Sequence, residues 1–397
     1  MKNSPHINGD ADEGFGRVVD EFRRNFTSRG DIGAALAVYQ GDRPVIDLWA
    51  GVRDKNTGAL WERDTTVNIF SSTKGIAALV LATAVSAGIL DYDEPVATYW
   101  PEFASHGKGA ITVRQLIDHQ AGLHSLHGKA LSLADLADLD LVADVIADQK
   151  PAWQPGTRQG YHTVTLGLYE NELFRRVDPG GRTIGRYVAE EIATPLGVDL
   201  AIGLSPERDI DDIAQLSVST PLGVLKHERH VPFRLLAGFG AKRGTFYATM
   251  KNPPIGDPWD ARRHELLDIE LASGNGVGNA RALARVYGAA AADTGELAIK
   301  RAVLDQLAAV GNVPAPDAVL GIPTRYHLGL RKSTPTFQFG SRDNRAYGTP
   351  GLGGSIGFAD PSTGIGFGYT MNRLGLAIVA EQRCEKLRGA VFDALGA

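Results

Sequence analysis

The stretch VNIFSSTKGIAALVLATAVSAGIL, residues 67–90, places two serines and a lysine directly before a long apolar run. From Ser72 to Ile89 the residues are mainly Ala, Leu and Val, and a glycine and a proline turn end the run, so the pattern predicts a buried helix. Ser71 and Lys74 are three positions apart and share one face at the start of this helix. Lysine is seldom buried without a purpose, so Lys74 is a candidate functional residue.

The spacing of Ser71 and Lys74 indicates nucleophilic catalysis. At the start of a helix, the backbone N–H of Ser71 and the positive end of the helix dipole suit a developing oxyanion. Lys74 can take the hydroxyl proton of Ser71, which is the Ser-Lys form of covalent catalysis. Ser-x-x-Lys also occurs by chance, and Ser72 could serve only as a helix N-cap. Its position before a wholly apolar helix favours the catalytic interpretation.

The rest of the chain has strand patterns at both ends and helix patterns between them. Residues 16–28 have apolar positions at helical spacing, and two Val-, Ile-, Tyr- and Trp-rich runs around QGDRP predict a β-hairpin. Near the C-terminus, strand patterns flank the turn DPSTG, and a final helix is predicted from about Leu374. The middle third has helical patterns joined by loops that hold most of the prolines.

These patterns predict an α/β protein of the α+β type. Strands from the N- and C-terminal parts are expected to form one antiparallel sheet, flanked by the first and last helices, with a mostly helical domain inserted. We therefore predict a discontinuous sheet domain from residues 1–70 and 275–397. Residues 71–274 form the predicted helical domain, and the active-site cleft is expected between the two.

Composition limits the partners and the compartment. The chain has 397 residues, 43% hydrophobic and 22% charged, which is typical of a soluble globular protein. The net charge of −5 and the lack of a basic cluster argue against nucleic acid and membrane partners, so a small molecule is expected. The single cysteine, Cys384, excludes an internal disulfide and a Cys-based metal site. A polar N-terminus without an apolar segment predicts a cytoplasmic protein, and the oligomeric state stays open.

The Ser-x-x-Lys motif and its surroundings resemble a known family. Residues 64–103 continue from the catalytic helix to a turn and a Trp-Pro-Glu-Phe stretch, and residues 111–123 read ITVRQLIDHQAGL. In this layout the chain resembles the serine hydrolases that share the fold of class C β-lactamases and penicillin-binding proteins, and among them the family VIII carboxylesterases. The resemblance extends from Phe22 to the C-terminus. It implies a β-lactamase-like fold and a reaction without metal or organic cofactor.

The second motif of this family is Tyr-x-Asn, and the matching residues are Tyr161, His162 and Thr163. The resemblance implies that Tyr161 works with Lys74 as general base and later donates a proton to the leaving group. Thr163 replaces an asparagine whose amide would bind a β-lactam side chain, which argues against strong β-lactamase activity. Without the resemblance, Tyr161 could be an ordinary core or loop tyrosine.

The third motif, Lys-Thr-Gly, is matched by Thr349, Pro350 and Gly351. The lysine is absent, which favours uncharged esters, and Thr349 and Gly351 are the predicted substrate-binding residues on this strand. The resemblance also implies that the backbone N–H of Leu352 joins that of Ser71 in the oxyanion hole.

A second serine motif competes with Ser-x-x-Lys, and the histidines match no metal-binding motif. Residues 353–357, GGSIG, satisfy Gly-x-Ser-x-Gly with Ser355 as nucleophile, but a strand, a turn and a strand follow instead of the required helix. The histidines, among them the pair His227 and His230, match no His-Glu-x-x-His pattern, so no metal site is predicted.

The sequence thus predicts a serine hydrolase that cleaves carboxylic esters with short acyl chains. Trp153, Phe233 and Phe239 are candidate apolar walls of its cleft, although core packing is an alternative role for each. The same site could serve a β-lactamase, a D-amino peptidase or an acyltransferase. A catalytically silent penicillin-recognising module is the alternative from another class.

Overall fold

The structure is a computed structural model that describes residues 5–204, 208–219, 237, 240–255, 266–376 and 381–397. The strands in these residues are β1 (Ile7–Ala11), β2 (Gly33–Gln40), β3 (Arg43–Gly51), β4 (Val67–Phe70), β5 (Leu200–Ile202), β6 (Ser217–Val218), β7 (Gly276–Gly278), β8 (Ala315–Pro316), β9 (Pro323–Thr324), β10 (Tyr326–His327), β11 (Leu330–Lys332), β12 (Tyr347–Pro350), β13 (Ile356–Asp360), β14 (Ile365–Met371) and β15 (Arg373–Leu374). The α-helices are α1 (Gly16–Thr27), α2 (Ser72–Ala87), α3 (Val96–Tyr99), α4 (Val113–Ile117), α5 (Leu139–Ala147), α6 (Thr165–Val177), α7 (Ile184–Tyr187), α8 (Thr194–Leu196), α9 (Thr245–Ala248), α10 (Ala280–Ala292), α11 (Arg301–Ala308) and α12 (Gln382–Leu395).

Strands from both ends of the chain form one antiparallel sheet, in the order β1-β3-β2-β14-β13-β12-β11-β10. The two ends meet where β2 pairs with β14, from Ala34 opposite Met371 to Gln40 opposite Ile365. The predicted antiparallel sheet, built from N- and C-terminal strands with helices between them in sequence, is therefore confirmed. The strand β1 was not predicted, because its sequence INGDA is polar and lacks the alternation of a half-buried strand.

The two faces of the sheet differ in side-chain size. On one face Leu36, Phe358 and Phe367 share an apolar core with α1 and α12. On the other face Gly366 and Gly368 lie against α10, where an added Cβ would be 2.1 Å from backbone atoms of that helix. Small residues let α10 approach the strands closely, so the sheet is covered by helices on both sides.

The helix α2 is buried along almost its whole length, as its apolar sequence predicts. It ends at Gly88, whose φ of 78° lies in the left-handed region that glycine adopts easily. The preceding strand β4 pairs with β7, and β7 pairs with β5, in a separate three-stranded sheet. Ser71 therefore lies at the junction of this small sheet and a buried helix. The helices in the described residues are each too short or too polar to span a bilayer.

The final helix begins later than predicted. It starts at Gln382 instead of near Leu374, because Arg373 and Leu374 form β15, which pairs in parallel with β6. The division into a sheet domain and a mostly helical domain stays a prediction. One strand of the predicted helical segment, β5, pairs with β7 of the predicted sheet segment.

A buried ion cluster joins α12 to the sheet. Arg383 is fully buried, and its guanidinium donates to the carboxylates of Asp31 at 2.6 Å and Glu381 at 2.8 Å. It also donates to the carbonyl oxygen of Gly353 at 2.7 Å, while the hydroxyl of Tyr369 in β14 donates to Asp31 at 2.6 Å. These bonds connect the last helix with the sheet and with the turn that follows β12.

We expect Arg383→Met to lower the free energy of unfolding by about 3–5 kcal/mol, because it leaves Asp31 and Glu381 buried without their partner. The control is Arg17→Met, which removes an ion pair to Asp393 whose two side chains are 69% and 58% exposed and should change stability little. Urea denaturation of both variants measures the difference. Equal losses in the two variants would contradict the structural role of the buried cluster.

Candidate active site

Ser71 is held at the N-terminus of α2 by a tight turn. The preceding Phe70 has a φ of 47°, a left-handed conformation that residues other than glycine seldom adopt. Its N–H donates to Asn68 Oδ1 at 2.8 Å, and its carbonyl oxygen accepts the hydroxyl of Thr73. Thr73 in turn accepts the N–H of Gly276 in β7 at 2.9 Å. The turn thus fixes Ser71 where strand and helix meet, and the serine lines a cleft.

Lys74 lies one turn further into α2, and its side chain is 1% exposed. Its Nζ donates to the carbonyl oxygens of Thr163 at 2.7 Å and Ser273 at 2.6 Å, and lies 3.4 Å from Ser71 Oγ. A neutral amine has two N–H bonds, which the two carbonyls can accept. Its lone pair is then free to accept the serine proton, so this arrangement suits a general base.

The third predicted catalytic residue, Tyr161, reaches the same serine. Its hydroxyl donates to Ser71 Oγ at 2.8 Å, and Lys74 Nζ lies 4.9 Å from the centroid of its ring. The structure therefore brings together all three residues that the sequence predicted as catalytic. The phenol and the amine therefore both lie close to Ser71 Oγ, at 2.8 and 3.4 Å.

Asp317 holds the backbone around Tyr161. Its Oδ1 accepts the N–H groups of Tyr161 at 3.1 Å and of Val319 and Leu320 at 2.8 Å each. Its Oδ2 accepts the hydroxyl of Tyr326 at 2.8 Å. Sequence analysis missed Asp317 because it belongs to no motif and lies far along the chain from Tyr161.

Two buried histidines also support the tyrosine. His162 Nε2 accepts the N–H of Leu123 at 2.8 Å, and His119 Nδ1 accepts the backbone N–H of His162 at 3.0 Å. Burial lowers the pKa of His162 to about 3 and that of His119 well below its usual value. Neutral rings thus pack beside Tyr161, with the His119 ring 5.0 Å from the tyrosine ring.

Among the described residues, no group of three or more His, Cys, Asp or Glu is placed to hold a metal ion. His227 and His230 lie outside the described residues.

The predicted oxyanion hole consists of the backbone N–H groups of Ser71 and Leu352. In the described part of the chain neither group donates a hydrogen bond, and both residues line the cleft. Gly351 lets the chain after β12 approach the end of β4, since a Cβ there would lie 2.2 Å from Ser355 Oγ and 2.3 Å from the carbonyl oxygen of Ile69. Only glycine lets the turn after β12 pack this tightly against the strand that carries the nucleophile.

Ser355 occupies a structural position. It is 1% exposed, its hydroxyl donates to the carbonyl oxygen of Ile69 at 2.8 Å, and Ser72 Oγ lies 3.4 Å away. The strand β13 follows it directly, so the strand–turn–helix of a nucleophile elbow is absent here. Ser355 therefore joins the turn after β12 to the end of β4.

The two predicted binding residues on β12 have different surroundings. Gly351 lines the cleft. Thr349 lies instead under α2, where its hydroxyl is 3.0 Å from the position that a Cβ on Gly75 would take, and it is not among the residues that line the cleft. Thr349 thus occupies the position of the family lysine without its charge, and its hydroxyl does not reach the cleft.

The predicted aromatic walls are not found in the described part of the cleft. Trp153 stacks on His124 with ring centroids 5.1 Å apart and does not line the cleft. Phe233 and Phe239 lie outside the described residues.

The cleft has a volume of about 1280 Å³, including the space that opens to solvent. Beyond Ser71 and Tyr161 its lining is mainly apolar, and much of it comes from the segment between β5 and β7. Sequence analysis missed these walls because that segment carries no motif. Its apolar lining residues include Ile213, Leu216, Phe246, Met250, Leu267 and Leu271.

A buried carboxyl group, Glu170 in α6, lies close to this machinery. Neither of its oxygens has a hydrogen-bond partner in the described residues. Burial raises its pKa to about 8, although the positive charge of Lys74 acts in the opposite direction. A Cβ on Gly329 would lie 3.7 Å from Glu170 Oε1, and the N–H of Gly329 donates to Asp118, whose pKa burial raises to about 7.

Comparison with known proteins identifies the family. The family model described as Beta-lactamase matches residues 22–383. The chain belongs to the beta-lactamase family. This result confirms the resemblance predicted from the Ser-x-x-Lys motif and the residues around it. It makes the chain a serine hydrolase with the beta-lactamase fold.

Individual relatives match almost the whole chain. The protein named Esterase/beta-lactamase LipL of Mycobacterium tuberculosis is 34% identical over 377 residues, which are 92% of this chain and 83% of LipL. A crystal structure described as a family VIII carboxylesterase superposes with a TM-score of 0.85 at 31% identity, and covers 98% of this chain and 100% of its own. A penicillin-binding protein homologue from Caulobacter crescentus superposes with a TM-score of 0.83 at 33% identity, with the same coverage.

We expect Gly351→Ala to reduce kcat strongly, by about 100-fold or more, because the added methyl would displace Leu352, a predicted donor of the oxyanion hole. KM should change less than kcat, since the loss affects the transition state. Steady-state kinetics with a chromogenic ester measure both constants. The control is Gly389→Ala in α12, where no atom lies within 4 Å of the added Cβ. Unchanged kinetics of Gly351→Ala would contradict the tight packing at this turn.

We expect Glu170→Leu to stabilise the protein near neutral pH. Glu170 is protonated in the folded chain up to about pH 8 but ionised when unfolded above its usual pKa of 4.5. Unfolding therefore releases a proton, so its contribution to stability falls as pH rises from 4.5 to about 8. At pH 7 the gain from removing it is on the order of 3 kcal/mol.

Urea denaturation at pH 5.5, 6.5 and 7.5 tests this expectation. The control is Glu172→Leu, which removes ion pairs with Arg175 and Arg176 and should destabilise the protein. If Glu170→Leu kept the pH dependence of the wild type, the assigned protonation of Glu170 would be wrong.

Proposed function

We propose that this protein hydrolyses carboxylic esters through an acyl-enzyme on Ser71. The proposal depends on the grouping at Ser71 Oγ, which lies 2.8 Å from Tyr161 Oη and 3.4 Å from Lys74 Nζ. A serine within reach of an amine and a phenol has the partners it needs to lose its proton as it attacks a carbonyl.

In the first half-reaction Ser71 Oγ bonds to the carbonyl carbon of the ester. Its proton moves to Lys74 Nζ, directly or through Tyr161 Oη. The carbonyl oxygen becomes an oxyanion that accepts hydrogen bonds from the backbone N–H groups of Ser71 and Leu352. When the bond between carbon and the alcohol oxygen breaks, Tyr161 donates a proton to the leaving alcohol, and the proton held by Lys74 replaces it.

In the second half-reaction a water molecule attacks the acyl-enzyme. Lys74 and Tyr161 accept a proton from the water, the bond between the acyl carbon and Ser71 Oγ breaks, and the serine regains its proton. The sum is one water consumed, with one acid and one alcohol released. No step uses a metal ion or an organic cofactor.

Three observations support an ester substrate. The relatives include a protein named esterase/beta-lactamase and a structure described as a family VIII carboxylesterase. Thr163 stands where the family has an asparagine for β-lactam side chains, and the cleft is mainly apolar. The partner is thus a small-molecule ester, and a short acyl chain stays a prediction. Weak β-lactam hydrolysis is the second candidate, because the name of LipL includes that activity.

We expect Ser71→Ala, Lys74→Met and Tyr161→Phe each to lower kcat by about a thousandfold or more, since each removes a member of one proton-transfer group. Hydrolysis of p-nitrophenyl acetate, butyrate and octanoate, beside nitrocefin, measures turnover and separates esterase from β-lactamase activity.

The control is Ser355→Ala, which should keep ester turnover within about tenfold of the wild type, because Ser355 bonds only to structural partners. If Ser355→Ala abolished turnover and Ser71→Ala did not, the assignment of the nucleophile would be wrong.

A further inference from the structure

Arg331 on β11 is a buried cation in the cleft. It is 5% exposed and lines the same cleft as Ser71 and Tyr161. Among the described residues that line this cleft, it alone has a charged side chain. Sequence analysis did not single it out, because an arginine within a predicted strand ordinarily faces solvent.

The guanidinium of Arg331 has no partner that would explain its burial. In the described residues it makes no ion pair and no side-chain hydrogen bond, and its Nε is buried without an acceptor. The ring of Tyr326 lies 5.6 Å from its Cζ, but the tyrosine hydroxyl is already bonded to Asp317. Burial of an unpaired charge costs far more than a ring contact returns.

Arg383 shows how this chain satisfies a buried arginine that has a structural role. Two carboxylates and the carbonyl oxygens of Gly353 and Arg373 surround Arg383. Arg331 has none of these contacts. Of the titratable groups near it, His119 is neutral, and both oxygens of Asp317 accept hydrogen bonds from other donors, so no carboxylate in the described residues bonds directly to this guanidinium.

We propose that Arg331 binds a carboxylate of the substrate, so that the preferred esters carry a free carboxyl group. This inference rests on the proposed ester hydrolysis at Ser71. Arginine can grip a carboxylate through two parallel N–H···O bonds, and a desolvated site strengthens them. The rest of the cleft wall is mainly apolar, which suits the hydrocarbon part of such an ester.

The position of Arg331 also accounts for the missing motif lysine. β11 and β12 are neighbours in the sheet, and Arg331 pairs with Gly348, which precedes Thr349. The cleft therefore contains a positive charge on the strand next to the motif strand, although Thr349 itself supplies none. The expectation of uncharged esters was based on the missing lysine of β12 and did not include Arg331 on β11.

Matched pairs of esters test the proposal. One pair is mono-p-nitrophenyl adipate and p-nitrophenyl hexanoate, which differ by a carboxylate on the acyl chain. The other is 4-acetoxybenzoate and 4-acetoxybenzamide, which differ by a carboxylate on the alcohol part. For each pair, the kcat/KM of the anionic ester is divided by that of the neutral ester. We expect this ratio to fall by about 10- to 100-fold in Arg331→Met for at least one pair. The ratio should fall less in Arg331→Lys, because lysine keeps the positive charge but lacks the planar guanidinium that can bind both carboxylate oxygens.

The matched control is Arg342→Met, which removes the same charge from an exposed side chain on the loop before β12 and should keep both ratios. A binding measurement uses the Ser71→Ala protein, which cannot turn over. Adipate or benzoate should raise its Tm, and the rise should be lost when Arg331→Met is added. Without ligand, Arg331→Met should raise the Tm, whereas removal of a structural arginine would lower it.

The outcomes separate this inference from the proposed function. If the wild type hydrolyses neutral esters in a Ser71-dependent manner but Arg331→Met keeps both ratios, the carboxylate site is overturned and the esterase proposal survives. If the wild type hydrolyses none of the four esters, yet adipate or benzoate stabilises Ser71→Ala through Arg331, the esterase proposal fails and the anion site stands. A lower Tm of unliganded Arg331→Met together with unchanged ratios would assign Arg331 a structural role.

Discussion

The contact on which the site depends is the burial of Lys74 between two backbone carbonyls. Its amine must be satisfied because water is excluded, and the carbonyl oxygens of Thr163 and Ser273 do this at 2.7 and 2.6 Å. Those oxygens belong to segments before α6 and before β7, so one side chain fixes three parts of the chain relative to one another. The same two bonds hold Lys74 Nζ 3.4 Å from Ser71 Oγ. The contacts that satisfy the buried amine are therefore also the contacts that place it beside the serine.

Much of the fold and the centre of the site could be predicted, because both depend on local patterns. The apolar run after Ser71 indicated α2, the Ser-x-x-Lys spacing indicated Lys74, and the resemblance to a known family indicated Tyr161. The final helix was placed too early, since only the pairing of β15 with β6, distant in sequence, excludes Leu374 from it. Asp317 and Arg331 were missed for the same reason: their roles arise from tertiary contacts, and neither belongs to a motif.

Two buried arginines show that burial alone does not define a role. Arg383 is surrounded by carboxylates and carbonyls, so its charge is balanced within the folded chain. Arg331 has no such balance among the described residues, and a protein can keep such a group only at a cost in stability. Glu170 is a comparable unpaired group, but it stays neutral by keeping its proton, which a guanidinium cannot do. A buried ionisable group without a partner therefore indicates a ligand-binding site only when the group must keep its charge.

The bond from Arg383 to the carbonyl oxygen of Gly353 has a consequence for biosynthesis. Gly353 follows Leu352, the proposed second donor of the oxyanion hole, so the turn that carries this N–H is anchored by a residue 30 positions later in the chain. A nascent chain that ends before Arg383 already carries Ser71, Lys74 and Tyr161 but lacks this anchor. During synthesis the Ser-x-x-Lys motif therefore precedes by a long stretch of chain the residue that anchors the turn beside it.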